Sequence, residues 1–306
     1  VISEPLNEIL RRCPMCGTLF DQADVTVCPI DGVELQDVED QVEVSLTGEV
    51  VAGRFEVGEM LGAGGMGAVY KARQISIDRD CALKVLKKEI VDNKMAVKRF
   101  LLEAKATSRL SSAHTITIYD FGQTEGGELF IAMEYLEGQD LKEKLDAVGY
   151  LGIADAIRVI SGVAHSLAEA HSLNIVHRDL KPANIFLAKQ PQDPEFVKVL
   201  DFGIARATTM TDGMTMTQTG TVAGTPGYMA PETIVGKKVD ARADVYALGV
   251  ILYEMIALKR FLEGQERPLE SDYPQAIEDM LSQLPDDTPE RLTRVLQRCL
   301  AHDPAE

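Results

Sequence analysis

A glycine-rich turn between two predicted strands has the composition of a phosphate-binding loop. Residues 61–69 read LGAGGMGAV. Glycine has no Cβ, so backbone N–H groups at Gly62, Gly64 and Gly67 could approach phosphate oxygens closely. A dinucleotide-binding fold would place a helix after the glycines, whereas residues 68–72 read as a strand, which disfavours that fold. The alternative is a glycine-rich hairpin that binds nothing.

Lys84 is a candidate cation for the same phosphates. It lies in the segment 81–86, which reads CALKVL and predicts a further strand. Leu83 and Val85 give the lysine an apolar setting on both sides, and Glu103, in the next predicted helix, could hold it in place. The alternative is an edge-strand lysine that reaches solvent.

The segment 175–184 combines a carboxylate, a lysine and an amide within six residues. It reads IVHRDLKPAN, so these groups belong to Asp179, Lys181 and Asn184. Three further segments follow along the chain: an apolar run at 197–200, Asp-Phe-Gly at 201–203 and Ala-Pro-Glu at 230–232. Each segment alone could be a polar loop, but this order is too specific to arise by chance.

Together these motifs resemble the eukaryotic-type protein kinase family, in its bacterial serine/threonine branch. The resemblance covers the chain from about residue 54 to the C-terminus. It implies an α+β, two-lobed protein kinase fold with a small β-rich N-lobe and a larger helical C-lobe. It also implies an enzyme that transfers the γ-phosphate of ATP to serine or threonine hydroxyls of proteins and phosphorylates its own activation loop.

The resemblance implies a catalytic role for several motif residues. Asp179 would orient the substrate hydroxyl and accept its proton, and Lys181 would neutralise the γ-phosphate in the transition state. Lys181, together with Thr225 in the segment 224–226, resembles serine/threonine kinases more than tyrosine kinases. Asp244 would brace the catalytic loop from a buried helix.

The resemblance also implies how ATP and magnesium are held. Lys84 would bind the α- and β-phosphates while it pairs with Glu103, and Asn184 and Asp201 would supply hard oxygen ligands to Mg²⁺. The implied ATP-binding residues are Leu61, Gly62, Gly64, Gly67, Val69, Ala82, Lys84, Met133, Glu134, Leu136 and Phe186.

Three features depart from the family pattern. Cys81 stands where valine is frequent, and the stretch 258–290 matches weakly and looks shortened. The carboxylate of Glu232 pairs, in the family, with an arginine that follows a segment like 302–306, and this chain stops before that arginine. A buried carboxylate without its partner costs about 3–5 kcal/mol, so we expect a cropped chain or an atypical C-terminus.

The activation loop is threonine-rich, and Thr217 and Thr219 are the expected phosphorylation sites. Their Thr-Gln-Thr setting resembles the autophosphorylation site of bacterial relatives. A phosphate adds a charge of about −1.5 to −2, which could dock on Arg178 and order the loop. The alternative is a flexible polar loop.

Two N-terminal segments are near copies, CPMCG at 13–17 and CPIDG at 28–32. They predict a zinc-ribbon-like module in which zinc has three sulfur ligands and one carboxylate ligand. The expected ligands are Cys13, Cys16, Cys28 and Asp31. A core of about 35 residues needs such a staple, and the closed ligand set indicates a structural role. The alternative is a degenerate ribbon without metal; docking, autoinhibition and partner binding all stay open as roles.

Composition limits the partners. The net charge is −17; residues 1–50 hold 11 acidic and 2 basic side chains and so carry −9 of it. An acidic surface disfavours nucleic acid and anionic membranes. The apolar run 245–258 is too short to span a bilayer. Cysteine usage favours a reducing cytoplasm, either for the whole protein or for a cytoplasmic segment that precedes a membrane helix. The expected partners are protein substrates and a second copy for phosphorylation in trans.

The pattern along the chain predicts the elements that position these groups. The expected domains are a zinc-ribbon-like module at 1–35, an acidic linker at 36–50 and a kinase domain at 51–306, with its N-lobe at about 51–136 and its C-lobe at about 137–306. The expected strands are 42–44, 54–61, 68–74 and 81–86. The expected helices are 95–110, 154–172 and 244–257.

Two other functions compete with an active kinase. A pseudokinase scaffold would bind nucleotide without chemistry, but it would normally lack an equivalent of Lys84, Asp179 or Asp201, and all three are present. A kinase whose zinc ribbon binds nucleic acid is disfavoured by the charge of −9 in residues 1–50.

Overall fold

The computed structural model describes residues 11–13, 19–20, 25–28, 33–37, 46–64, 67–86, 94–124, 126–202, 226–236, 239–257 and 272–303. The chain divides into two compact units, Val1–Lys87 with Gln123–Phe130, and Lys88–Gly122 with Ile131–Glu306. The predicted strand at 42–44 lies outside the described residues.

The first unit begins with a small antiparallel sheet. Its strands are β1 (Arg11–Arg12), β2 (Leu19–Phe20) and β3 (Gln36–Asp37), in the order β2-β1-β3. Cys13 directly follows β1 and is fully buried. Cys28 is also fully buried, and its N–H donates to Val33 O at 2.8 Å. Both predicted knuckles therefore begin with a buried thiol.

A larger antiparallel sheet follows in the same unit. Four of its strands are β4 (Val50–Val51), β5 (Phe55–Gly64), β6 (Gly67–Gln74) and β7 (Arg79–Leu86), side by side in this order. These bounds confirm the strands predicted at 54–61, 68–74 and 81–86. Alternate residues of β6 are buried, as in a sheet with one face on a core. In β7 five of the eight residues are buried, and Cys81 is among them with no exposed surface.

The second unit is mainly helical. Its helices are α1 (Lys94–Thr107), α2 (Leu141–Val148), α3 (Ile153–Ser172), α4 (Pro231–Ile234), α5 (Arg242–Ile256), α6 (Tyr273–Leu281) and α7 (Glu290–Cys299). The helices predicted at 95–110, 154–172 and 244–257 are confirmed as α1, α3 and α5. In α3 the buried positions Val159, Val163 and Leu167 recur every four residues. Eleven of the fifteen residues of α5 are buried, so α5 lies inside the core of this unit.

A second small sheet frames the segment that carries Asp179. It consists of β10 (Gly138–Asp140), β11 (Ile185–Ala188) and β12 (Phe196–Val199), in this order and antiparallel. Gly138 has a φ of +149°, and a Cβ there would clash with Leu187 O, so only glycine allows β10 to approach β11. Asp140 then caps α2: its carboxylate accepts from Glu143 N at 2.8 Å.

The boundary between the units runs through a pair of neighbouring strands, β8 (Ile118–Gln123) and β9 (Leu129–Glu134). Within the first unit, the Phe130 ring lies 5.7 Å from that of Phe55. None of the helices in the described ranges is both long enough and apolar enough to cross a bilayer.

Candidate active site

The predicted catalytic loop, residues 175–184, runs from the end of α3 to the start of β11 and brings three predicted site residues together. Asn184 Nδ2 donates to the backbone oxygen of Asp179 at 2.6 Å and to its Oδ2 at 3.3 Å. Lys181 Nζ lies 3.0 Å from the same Oδ2. The amide of Asn184 and the ammonium group of Lys181 therefore both contact the carboxylate of Asp179, as their spacing within six residues predicted.

Asp244, in the first turn of α5, accepts hydrogen bonds from the backbone of the catalytic loop. Its side chain is 1% exposed and accepts from His177 N at 2.8 Å through Oδ2 and from Arg178 N at 2.9 Å through Oδ1. Arg178 has a φ of +66°, a left-handed conformation that is unfavourable for a residue with a Cβ. The hydrogen bonds to Asp244 stabilise this turn directly before Asp179, as the brace expected from the sequence requires.

Two histidines complete the hydrogen bonds around the loop. His171 Nε2 donates to Asp244 Oδ2 at 2.8 Å. His177 Nε2 donates to Leu200 O at 2.9 Å, and its Nδ1 accepts from Asp179 N at 3.4 Å. Both bonds of His177 require the same neutral tautomer, with the proton on Nε2. His177 thereby links the loop to the residue before Asp201.

Asp201 follows β12 and is half-buried, with a φ of +50°. The preceding peptide is fixed because Leu200 N donates to Asn184 O at 2.9 Å. Phe202 is buried, and its ring lies 4.7 Å from the ring of His177. Since Nδ2 of Asn184 donates hydrogen bonds to Asp179, the Oδ1 atom of Asn184 is the one suited to bind a cation. The donor set of Asn184 and Asp201 is thus oxygen only, which fits Mg²⁺.

In the first unit, the sheet register aligns several of the predicted ATP-binding residues. Gly62 pairs with Val69, and Val69 pairs with Lys84 across β5, β6 and β7. Directly paired residues of an antiparallel sheet share one face, and Ala82 lies two residues before Lys84 on that face. A Cβ at Gly67 would clash with Val85 O, so this glycine is also required for packing.

The other predicted site residues are distributed as follows. Met133 and Glu134 end β9, and Leu136, Phe186 and Glu103 are half-buried in the second unit, with Phe186 on β11 and Glu103 on α1. Leu61 is exposed on β5, where Gly64 is the last residue. Those outside the described residues are Cys16, Asp31, Thr217, Thr219 and Thr225.

The region of Glu232 contains arginines. Glu232 is half-buried on α4 and lines a cavity of about 270 Å³ together with Arg242, Arg298 and Cys299. Asp240 is the main reason that the pKa of Arg242 is raised, and the charge of Glu232 adds to the effect. Burial raises the pKa of the Cys299 thiol. In the ranges that the structure describes, no three His, Cys, Asp or Glu side chains cluster as a metal site.

Sequence reasoning missed two polar side chains of this region. His171 has no motif around it, and its only signal is its place in the last turn of α3, six residues before His177. Lys198 was overlooked as a site residue because the segment 197–200 was interpreted as an apolar run. A lysine between two valines of a buried strand was itself the available signal, since lysine is rarely buried without a partner.

This fold and loop geometry define a protein kinase. The chain belongs to the protein kinase family, because the protein kinase domain matches residues 55–306.

Its relatives are bacterial serine/threonine kinases. The chain is 47% identical over 210 residues to serine/threonine-protein kinase pkn3 of Myxococcus xanthus, covering 68% of this chain and 38% of that protein. It is 38% identical over 264 residues to PknB of Mycolicibacterium smegmatis, covering 84% and 41%. The chain thus spans about two fifths of these relatives' length. The crystal structure of the Mycobacterium tuberculosis PknI kinase domain superimposes with a TM-score of 0.65 at 29% identity, over 85% of this chain and 91% of that one.

Removing the Asp244 carboxylate should loosen the catalytic loop. In Asp244→Ala the backbone N–H groups of His177 and Arg178 lose their buried acceptor, and we expect unfolding free energy to fall by about 2–5 kcal/mol. Hydrogen exchange at these two amides should accelerate more than exchange in α3. The control Asp146→Ala removes an exposed partner of Lys142 and should cost below about 0.5 kcal/mol. Unchanged exchange at residues 177 and 178 would contradict the brace.

Proposed function

We propose that this protein is an ATP- and magnesium-dependent serine/threonine protein kinase. The observation that carries the proposal is the convergence of Lys181 and Asn184 on the Asp179 carboxylate, in a loop braced by Asp244. Phosphoryl transfer needs positioned groups and neutralised charge more than covalent chemistry, and this arrangement supplies both.

Asp179 acts on the substrate hydroxyl in this mechanism. Lys181 and Asn184 both contact its Oδ2, which leaves Oδ1 to orient the hydroxyl and accept its proton. Lys181 is close enough to Asp179 to stabilise charge on the phosphoryl group at the same place. Thr225 is assigned to this catalytic group by its sequence motif.

Asn184 and Asp201 would hold Mg²⁺ through side-chain oxygens. When bound, the ion neutralises charge on the phosphate oxygens. Lys84, paired with Glu103, would bind the α- and β-phosphates, and the backbone at Gly62, Gly64 and Gly67 would cover them.

The adenine ring would contact apolar side chains and a stretch of backbone. Val69 and Ala82, on one face of the first unit's sheet, would pack against the ring, with Leu61 at the start of the glycine turn. In the second unit, Phe186 would pack against the ring, Met133 would line the back of the pocket, and the backbone of 134–136 would recognise the adenine edge.

The proposed reaction implies the substrates, the cellular setting and the role of the protein. The substrates are proteins, the setting is the bacterial cytoplasm, where ATP is supplied, and the role is signalling. A second copy of the chain phosphorylates the activation loop in trans. The presence of Lys84, Asp179 and Asp201 favours this reading over a pseudokinase scaffold.

The N-terminal residues form a structural zinc module in this proposal, followed by an acidic linker to residue 50 and the kinase domain. Two observations support it. Cys13 and Cys28 are both fully buried, and Cys13 directly follows β1 while Cys28 lies next to the isolated bridge between Val27 and Glu34. Two buried thiols in this short segment suit a tetrahedral site that Cys16 and Asp31 would complete.

Loss of a magnesium ligand should abolish turnover. We expect Asp201→Asn to reduce phosphate transfer from ATP to a generic protein substrate on the order of 10²-fold or more. Asp179→Asn should cost about 10²–10⁴-fold because the proton acceptor is lost. Lys84→Ala should weaken productive ATP binding. Radiolabelled ATP and phosphosite mapping measure these effects, with Asp146→Asn on exposed α2 as the control. Wild-type activity in Asp201→Asn would refute the magnesium assignment, whereas no phosphate transfer by the unaltered protein would favour a pseudokinase.

Phosphorylation of Thr217 and Thr219 should activate the kinase. Changing both to alanine removes the charge that would dock on Arg178, so activity toward an added substrate should fall. The matched control changes Thr208 and Thr209 of the same loop. If the Thr217/Thr219 variant stays fully active and mass spectrometry finds no phosphate on either residue, the activation model is wrong.

Zinc should be needed to fold residues 1–35. Elemental analysis should find about one zinc per chain, and chelation should unfold this module while the kinase domain stays folded. Asp31→Ala should lower zinc affinity, whereas Asp21→Ala should not. Less than about half an equivalent of zinc argues against the site, and full affinity in Asp31→Ala would mean that the fourth ligand is another group.

A further inference from the structure

Lys198 is a buried lysine in the middle of a strand. It lies between Val197 and Val199 in β12, with only 6% of its surface exposed. Its Nζ lies 2.6 Å from Glu134 Oε1 and also donates to Thr115 O at 3.3 Å. The proposed catalytic chemistry gives no role to this ammonium group.

Glu134 is fixed on the other side by Thr117. The Oε1 atom that contacts Lys198 also accepts from Thr117 N at 2.7 Å, while Glu134 N donates to Thr117 O at 2.9 Å. Side chain and backbone of Glu134 are therefore both held at the point where β9 ends. The next residues, 135 and 136, continue the segment assigned to the adenine edge.

Strand β12 is fixed to the same segment of chain. Val199 N donates to His114 O at 2.7 Å, Ile116 N donates to Val199 O at 2.9 Å, and Thr115 forms a parallel bridge with Val199. Only two residues separate Val199 from Phe202, and Asp201 lies between. The Lys198–Glu134 pair thus connects the residue that begins the adenine edge with the strand that ends two residues before a proposed magnesium ligand.

Stability does not explain why an ion pair stands here. Transferring both charges out of water is costly, and apolar replacements of buried pairs are often neutral or stabilising. A pair whose two members also hold backbone groups in place has a geometric role instead. Its hydrogen bonds run to the backbone of 115 and 117, so they define one position of Glu134 relative to β12.

We propose that Lys198 and Glu134 form a positioning pair for the nucleotide, holding the adenine-binding backbone of 134–136 in register with Asp201. This inference rests on the proposed ATP site. The pair does not contact the reacting phosphate; it sets the spacing between the two ends of the bound nucleotide.

The double variant Lys198→Met with Glu134→Leu tests the pair, since it replaces both charges with apolar side chains of similar size. We expect the Kd for adenosine, measured by isothermal titration calorimetry, to rise about tenfold. The KM for ATP should rise to a similar degree, kcat should change far less, and Tm should not fall. Adenosine is the probe because it lacks phosphates and needs no metal.

A matched control uses a half-buried ion pair near β12, in which Glu195 also contacts Arg158. Lys144 and Glu195 are 14% and 29% exposed, and Glu195 immediately precedes the strand. Lys144→Met with Glu195→Leu should leave the adenosine Kd unchanged within about twofold. If the Lys198/Glu134 double variant does not fold, Lys198→Gln decides, with an expected rise of about threefold in Kd.

The outcomes separate this inference from the proposed function. Wild-type adenosine affinity in a folded double variant, or in Lys198→Gln, would overturn the positioning pair and leave the kinase proposal intact. A lower Tm with an unchanged Kd would likewise overturn it, since the pair would then serve stability alone. Failure of the unaltered protein to bind adenosine and ATP would overturn both.

Discussion

The active-site geometry depends on one buried carboxylate, that of Asp244. Two successive backbone N–H groups, of His177 and Arg178, point at its two oxygens. A turn through a left-handed residue lets successive N–H groups converge on one anion, and Arg178 has this conformation. The carboxylate therefore selects the turn, and the turn presents Asp179 to Lys181 and Asn184.

Helix α5 makes such a carboxylate tolerable. Most of the helix is buried and apolar, and an unsatisfied charge there would be costly. Asp244 accepts three hydrogen bonds, including one from His171, so its charge is fully compensated. The buried helix α5 therefore fixes the position of Asp244, and the hydrogen bonds to Asp244 fix the conformation of the irregular loop. A second carboxylate, that of Glu169, also accepts hydrogen bonds from a loop. The hydrogen bond from Ser111 Oγ is the main reason that the pKa of Glu169 is lowered, and it fixes the chain after α1.

The sequence predicts those parts of the molecule that leave a local pattern. The strand-like segments that flank and follow the glycine turn predicted β5, β6 and β7, helical spacing predicted α3, and the order of motifs identified the family. Short strands such as β10 leave too few residues for a pattern. Contacts between distant residues are harder to predict: Lys198 in an apolar strand indicates that a partner is needed, but nothing in the sequence identifies Glu134, 64 positions away, as that partner. Gly67 read as a phosphate-loop residue, while its packing against Val85 follows from the sheet register alone.

The left-handed turn at Arg178 also has a consequence for the order of folding. Its hydrogen bonds join residues 66 and 67 positions apart, so a large loop of chain must close before they can form. The helices α3 and α5 can assemble from local contacts earlier. During synthesis Asp244 is made 66 residues after Arg178, so the turn acquires its buried acceptor only once α5 has formed.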